Sequence, residues 1–335
     1  MKKSLTTTDL ARLLQGFFCQ RLIQQRNVSH QTICSYRDTF RLLLCFSEQH
    51  LKKPAADLHL VDIDTSLVLS FLNHLEFQRH NCIRSRNARL AAIRSFLHYA
   101  ALQEPGVLAA IQQVLAIPLK RFDRAMVSYL TKTEMQAILD APDKTKWSGR
   151  RDYALLSTLY NSGARVSEII ALRRIDFENT HDQALHLRGK GRKERVVPLW
   201  KSTVSLLKKW LSQIGPEPQQ PLFPNRFGQA LSRSGVESRL RKAVANATEQ
   251  CPSLKNKIIS PHVIRHTTAM HLLQSGVDLS VIALWLGHEN ITTTHQYLDA
   301  DLRMKEKALA KLQPPNIKTT RYKPSDDILS FLDGL

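Results

Sequence analysis

The chain has 335 residues, of which 43% are hydrophobic, and this is enough for two domains of ordinary size. Its formal net charge of +19 at pH 7 predicts a polyanionic partner, and nucleic acid is the first candidate. On charge alone, a membrane surface or an acidic protein is an alternative. No apolar run is long enough to predict a membrane span, and we expect no signal peptide. The five scattered cysteines form no CxxC pair, which argues against a disulfide framework or zinc site and favours the cytoplasm.

The first part of the chain is patterned as helices. Apolar residues at helical spacing predict four of them, over 9–23, 32–51, 65–77 and 85–101. We therefore expect a helical domain over residues 1–105, built as a small bundle. A linker over 106–130 should follow, because this stretch contains prolines and a basic run from Lys120 to Arg124. Part of the linker is still compatible with a helix.

The fourth predicted helix carries a basic face. Arginines recur along it with one asparagine among them, and these side chains suit phosphates and base edges in a DNA groove. A solvated basic face is the alternative, and the charge of the whole chain favours DNA. The candidate DNA-binding residues are Arg84, Arg86, Asn87, Arg89 and Arg94.

A second domain is predicted over residues 131–312. Thr131 and Glu134 fit a capping box at its first helix. A helical pattern over 152–172 is interrupted at 161–163, which places Arg165 in the first turn of the next helix.

An alternating pattern then predicts a β-hairpin. Residues 184–188 and 194–199 read as two short strands around a glycine-rich basic turn, and Lys190 lies in that turn. Helices resume near Ser202 and over 232–247, and the proline-rich stretch 214–229 between them is predicted to be a loop.

Six side chains of this domain suit chemistry on a phosphodiester. Two guanidinium groups can clamp phosphate oxygens, and a tyrosine hydroxyl can attack phosphorus as a covalent nucleophile. Imidazole and ammonium groups can carry the protons that cleavage and its reversal require. No cluster of metal-ligating residues accompanies them in the sequence, so we expect metal-independent chemistry with no cofactor. The catalytic candidates are Arg165, Lys190, His262, Arg265, His288 and Tyr297.

Each candidate alone has a simpler explanation. Tyr297 could be a packing tyrosine, His262 a structural histidine, and Arg165 the ion-pair partner of Glu168 one helical turn on. Lys190 could belong to a solvated turn. The joint occurrence of all six favours an active site.

Four segments that hold these residues resemble the signature regions of the tyrosine recombinases. They are SGARVSEIIALRRIDFE, GKGRKERVVPL, HVIRH and LGHENITTTHQY. The resemblance implies a mainly α fold with a small β-hairpin. A helical, SAM-like core-binding domain would precede a mixed α/β catalytic domain of the kind shared by tyrosine recombinases and type IB topoisomerases.

The resemblance also implies a role for each candidate. Tyr297 would form a 3′-phosphotyrosyl link and free a 5′ hydroxyl, while His262 accepts its proton and Lys190 protonates the leaving oxygen. The two arginines would clamp the phosphate, and His288 would hydrogen-bond it. Attack by a hydroxyl of the partner strand reverses the link, so ligation needs no ATP.

Residues 313–335 form a predicted linker and docking helix. Pro314 and Pro315 stop the preceding helix, and a short amphipathic pattern follows Ser325. A helix of this length is not stable alone and must dock on another surface. The resemblance implies a tetramer in which this helix is exchanged between protomers, and docking on its own domain is the alternative.

These patterns predict a site-specific recombinase that acts on double-stranded DNA as an integrase, resolvase or transposon recombinase. A type IB topoisomerase is one alternative, and the tail helix argues against it because relaxation needs only a monomer. A catalytically silent DNA-binding accessory protein is the other, and the complete catalytic set argues against it. The motifs do not define the target DNA sequence.

Overall fold

The computed structural model describes residues 9–122, 128–178, 184–189, 193–288 and 294. The chain divides into two compact units, Met1–Ala125 and Met126–Leu335. Within the described stretches, no helix is both long and apolar enough to cross a membrane.

The first unit is built from helices. They are α1 (Asp9–Gly16), α2 (His30–Leu51), α3 (Thr65–Asn73), α4 (Ile83–Gln103) and α5 (Leu108–Leu115). α1 and α3 continue into wider π-helical stretches, Phe17–Gln25 and His74–Gln78. Side-chain caps begin two of the helices: Ser29 accepts the backbone N–H of Thr32 ahead of α2, and Asp64 accepts that of Leu67 ahead of α3.

Aromatic rings fill the core of this unit. Phe96 packs edge to face against Phe17 and Phe40, with ring centroids 5.5 and 5.2 Å away. All three rings are buried, so α2, α4 and the π-helical stretch after α1 share one centre. α5 lies within the segment predicted as a linker, yet its Ile111 and Val114 complete the same core. The apolar spacing of α5 therefore places it in the first unit.

The second unit holds the remaining helices and a small sheet. Four helices precede the sheet: α6 (Lys132–Asp140), α7 (Trp147–Ser162), α8 (Val166–Ala171) and α9 (Ile175–Glu178). The strands are β1 (Ala184–Arg188) and β2 (Glu194–Pro198), and the helices after them are α10 (Lys201–Leu211), α11 (Arg233–Gln250), α12 (Pro261–Gln274) and α13 (Leu279–Leu286).

The predicted capping box of α6 is present, and its glutamate also bonds two side chains from the segment after α11. The Thr131 side chain accepts the backbone N–H of Glu134, and the Glu134 carboxylate accepts that of Thr131. Glu134 also accepts hydrogen bonds from Ser253 and Lys257. Burial alone would raise the pKa of Glu134, but these donors lower it to about 2.

β1 and β2 pair antiparallel, from Ala184 opposite Pro198 to Arg188 opposite Glu194. The backbone N–H of Gly189 donates to the carbonyl of Lys193 over 2.7 Å and closes the base of the turn. The predicted fold class, mainly α with a small hairpin, is confirmed.

Candidate functional site

Arg165 was predicted to lie in the first turn of α8. It lies instead at the N-cap of that helix, in extended backbone. Gly163 ends α7 at φ +57°, and the chain then extends before it turns into α8. The Arg165 side chain reaches in two directions. It donates to the carboxylate of Glu168 over 2.9 Å and to the carbonyl of Gly287, beyond the end of α13, over 3.1 Å.

Arg265 reaches the same place from α12. Ser260 caps this helix by accepting the backbone N–H of Val263 over 3.4 Å. The Arg265 side chain is buried, and it donates to the carbonyls of Gly163 and Leu286 over 2.7 Å each. These two bonds fix the plane of the guanidinium group.

The end of α13 therefore brings the two arginines together. Its last residue, Leu286, bonds Arg265, and the next residue, Gly287, bonds Arg165. Gly287 adopts φ +65°, a left-handed conformation that favours glycine. Carbonyl groups at a helix C-terminus carry partial negative charge, which suits two cations.

His288 follows Gly287 directly in the chain, and the charges of the two arginines act on its imidazole. Its Nδ1 lies 2.8 Å from the hydroxyl oxygen of Thr294. Burial lowers the pKa of His288 to about 4, and the charges of Arg265 and Arg165 contribute to the shift. The imidazole is therefore neutral at pH 7 and can donate or accept a hydrogen bond.

His262 lies on α12, three residues before Arg265. Desolvation lowers the pKa of its imidazole, and the charges of Arg265, Arg233 and Arg165 lower it further. A neutral imidazole has a nitrogen that can accept a proton, which is what the predicted role of His262 requires.

Two of the catalytic candidates, Lys190 and Tyr297, lie outside the described residues, as does the predicted docking helix after Ser325. The structure thus brings together Arg165 from the start of α8, His262 and Arg265 from α12, and His288 from the segment after α13. Within the described ranges, no group of three or more His, Cys, Asp and Glu side chains is arranged to hold a metal ion.

Two of the candidate DNA-binding residues on α4 contact the end of α5 and the segment after it. Arg94 donates to the carbonyls of Leu115 and Ile117. The Asn87 amide donates to the carbonyl of Lys120 over 2.8 Å and accepts its backbone N–H over 3.2 Å. These bonds fasten residues 115–120 along α4.

The remaining three arginines of the set differ in burial. Arg86 is buried, and its Nε lies 3.5 Å from a carboxylate oxygen of Glu76. Arg84 is exposed and lies over the ring of Phe122, 5.9 Å from its centroid. Arg89 is half-buried.

Two further residues of the site are not among the sequence candidates. The carboxylate of Glu168 is buried and accepts hydrogen bonds from Arg165 and from Arg195 on β2. The strand alternation contains a signal for Arg195, since it lies two residues before the buried Val197 and on the same face. The alternation does not predict that Arg195 pairs with Glu168 on α8.

Comparisons with known proteins agree over both units. Residues 128–303 match the family model of the phage integrase family, and residues 16–104 match that of the phage integrase N-terminal SAM-like domain. The chain is 50% identical to y4rC of Sinorhizobium fredii, an inferred integrase/recombinase, over 98% of each chain. It is 34% identical to the tyrosine recombinase XerC of Chlamydia trachomatis, over 72% of this chain and 75% of that one.

Solved structures share the fold at lower identity. The XerH site-specific recombinase, bound to palindromic difH substrate in a post-cleavage complex, aligns with a TM-score of 0.65 and 22% identity, over 85% of this chain and 81% of XerH. The Tn1549 transposon integrase, in complex with circular intermediate DNA, aligns with a TM-score of 0.66 and 16% identity, over 92% of this chain and 100% of that one.

Proposed function

Because the chain belongs to the phage integrase family of tyrosine recombinases, we propose that its six-residue site cuts and rejoins double-stranded DNA through Tyr297. The observation that carries this proposal is the pair of guanidinium groups held at the end of α13. Arg265 bonds the carbonyl of Leu286 and Arg165 that of Gly287, and the neutral imidazole of His288 comes next in the chain.

The arginine pair supplies electrostatic catalysis. Attack on a phosphodiester produces a pentacoordinate transition state that carries more negative charge than the starting diester. Arg165 and Arg265 stabilise that charge, and because backbone carbonyls already orient them, little reorganisation accompanies the reaction. Removal of either guanidinium group should slow strand cleavage more than it weakens DNA binding.

The proton transfers fall to the other side chains. A tyrosine hydroxyl has an ordinary pKa of about 10, so it needs a base near neutral pH. The lowered pKa of His262 leaves its imidazole unprotonated and able to take the Tyr297 proton. Lys190 protonates the 5′ oxygen that leaves, and His288 hydrogen-bonds the phosphate. The products are a 3′-phosphotyrosyl bond and a free 5′ hydroxyl, and attack by a hydroxyl of the partner strand reverses the reaction.

On α4, we propose Arg84 and Arg89 as the direct phosphate contacts of the helical unit. Arg84 is exposed and Arg89 half-buried, whereas Arg86, Asn87 and Arg94 have polar partners within the unit and would hold the shape of this face. The chain would work in the cytoplasm as a tetramer on two DNA sites. The helix after Ser325 would dock on a neighbouring protomer, which suits its apolar residues.

The experiment is covalent capture followed by a two-site assay. Duplexes with a random central sequence are incubated with the protein in EDTA and without ATP, the mixture is denatured, and protein-linked strands are sequenced. Two copies of the recovered site are then placed on one plasmid. We expect deletion or inversion between the copies, and protein on the 3′ end of each cut strand. Relaxation of a site-free plasmid at the same rate would instead support a topoisomerase, and failure to capture any strand would overturn the proposal.

A further inference from the structure

Arg195 lies where three parts of the active site meet. It belongs to β2, and only 12% of its side-chain surface is exposed. Its Nη1 and Nη2 atoms donate to the two carboxylate oxygens of Glu168 over 3.0 and 2.8 Å. Its Nε donates to the carbonyl of Trp285, in the last turn of α13, over 2.9 Å. All three guanidinium nitrogens therefore donate to groups that belong to the active-site framework.

The two contact partners, and the strand to which Arg195 belongs, each lead to a different catalytic candidate. Glu168 also accepts the backbone N–H and the side chain of Arg165. Trp285 directly precedes Leu286, whose carbonyl holds Arg265. β2 follows the turn of the hairpin that contains Lys190 in the sequence. Arg195 thus connects the hairpin, the start of α8 and the end of α13.

Two glycines make room for this arrangement. A Cβ on Gly287 would lie 3.1 Å from Cδ and Nη1 of Arg195, and a Cβ on Gly189 would lie 3.2 Å from Oε1 of Glu168. Both distances are shorter than ordinary van der Waals contacts. The chain therefore passes close to the Arg195–Glu168 pair on both sides, which limits how far either partner can shift.

The charges explain why arginine suits this position. The carboxylate of Glu168 is almost fully buried and is shared by two guanidinium groups. Burial alone would raise the pKa of Glu168, but the hydrogen bonds from Arg195 and Arg165 hold it below its ordinary value. A lysine could neutralise the carboxylate, but it lacks the planar fork that bonds Glu168 and a backbone carbonyl at once.

We propose that Arg195 is a positioning residue for strand cleavage. It holds Arg165, through Glu168, in register with the end of α13 and with the hairpin, and it does so without contacting DNA. This inference rests on the proposed function, because its effect is expressed in the cleavage rate. A displacement of about 1 Å in a reacting group can cost about 100-fold in rate, so loss of Arg195 should slow cleavage by about 10- to 100-fold.

The test uses the full-length chain and a nicked suicide duplex that carries the captured site. Single-turnover formation of the covalent adduct is measured at saturating protein, and DNA affinity is measured separately by fluorescence anisotropy. The variants are Arg195→Ala and Arg195→Lys. Arg188→Ala is the matched control, because Arg188 is an arginine of the same hairpin whose carboxylate partners, Asp176 and Glu194, bond none of the catalytic candidates that the structure describes.

We expect Arg195→Ala to bind the duplex within about twofold of wild type and to cleave it about 10- to 100-fold more slowly. Guanidinium chloride at low millimolar concentration should restore part of that rate, while sodium chloride at equal ionic strength should not. Arg195→Lys should fall between the two, and Arg188→Ala should cleave like wild type. Cleavage by Arg195→Ala at the wild-type rate would overturn the inference and leave the proposed function intact.

Two other results also decide the matter. A parallel loss of binding, melting temperature and cleavage, with no rescue by guanidinium, would mean that Arg195 only stabilises the fold. Absence of any adduct with the wild-type chain would remove the proposed function, and the inference would fall with it.

Discussion

At the scale of single residues, the site is held together by backbone carbonyls that accept from arginine side chains. Arg265 bonds Gly163 and Leu286, and Arg165 bonds Gly287. The sequence predicts that Arg165 and Arg265 are catalytic, because the motifs that contain them are distinctive. It did not predict what orients them, since the carbonyl partners are distant in sequence and carry no side-chain signature.

A charge-conserving change tests this arrangement. In Arg265→Lys, one ammonium group cannot bond the two carbonyls with a fixed plane, so we expect DNA affinity to hold and adduct formation to fall by about 100- to 1,000-fold. Single-turnover trapping beside an anisotropy titration measures both quantities. Arg226→Lys, at an exposed residue whose guanidinium group lies over the Phe227 ring, should match wild type. Equal losses of affinity and rate in Arg265→Lys would contradict an oriented clamp.

Two half-buried imidazoles predict a pH dependence of stability: that of His288, and that of His266, whose ring centroid lies 6.3 Å from that of His262. Burial lowers the pKa of both His266 and His288 from 6.5 to about 4. Both groups take up protons more readily when the chain is unfolded. Their contribution to the free energy of unfolding is therefore complete above pH 6.5 and is lost as the pH falls towards 4.

Urea unfolding near neutral pH and near pH 5 checks this sign. The wild-type chain should lose more stability between the two conditions than the double variant His266→Gln, His288→Gln. The contrary result is an equal loss in both proteins, which would mean that these imidazoles keep their ordinary pKa in the folded chain.

At the scale of elements, one glycine joins α7 to the arginine cluster. Gly163 has φ +57°, its carbonyl accepts from Arg265, and a Cβ placed on it would lie 2.6 Å from Cδ2 of Leu286. Left-handed backbone and close packing therefore coincide at one residue. The sequence predicted a break at 161–163, whereas α7 runs to Ser162 and the break covers 163–165. It could not reveal that the end of α13 packs against Gly163.

Gly228 separates these two effects, because it has φ +78° and a Cβ added to it would meet no described atom within 4 Å. Gly228→Ala should cost about 1 kcal/mol, from backbone strain alone. Gly163→Ala should cost clearly more and should also slow cleavage, because the clash moves Leu286. Urea unfolding measures the loss of stability, and adduct trapping measures the loss of cleavage rate. Equal destabilisation by both changes would argue against the close approach of α13.

The helix α4 shows where sequence patterns lose information. Its basic residues were predicted as one DNA-binding face, and the structure gives them different surroundings. Asn87 bonds the backbone that follows α5, Arg94 bonds carbonyls at the end of α5 and just after it, and Arg86 faces Glu76. Spacing along a helix indicates which residues share a face, but the neighbour of that face is set by tertiary packing.

At the scale of the whole molecule, much of the account was predictable. The fold class and the family are confirmed. They were predictable because helical periodicity, a capping box and one hairpin are local signals, and because the four motifs are specific. The pairing of Arg195 with Glu168 became visible only in the fold, since the two side chains meet through packing between a strand and a helix. The +19 net charge predicts that DNA affinity falls steeply with salt.

The C-terminal segment belongs to this scale, because its proposed partner is another copy of the chain. Deletion of residues 325–335 should leave binding to a single site unchanged and reduce recombination between two sites by about tenfold or more, as expected when a docking contact that links protomers is lost. Gel-shift and two-site plasmid assays measure these quantities. Substitution of Ser325 alone, which removes only the predicted N-terminal cap of this helix, serves as the control. Full recombination by the truncated chain would exclude docking between protomers.

The most direct test of the central claim is the hydroxyl of Tyr297. Wild type, Tyr297→Phe and Tyr153→Phe are incubated with the nicked suicide duplex, and covalent adducts are resolved on a denaturing gel. Tyr153 is a matched control, because it is a tyrosine of α7 whose ring packs against Lys144. The account predicts adducts on the 3′ end of the cut strand for wild type and Tyr153→Phe, and none for Tyr297→Phe. An adduct formed by Tyr297→Phe would contradict it.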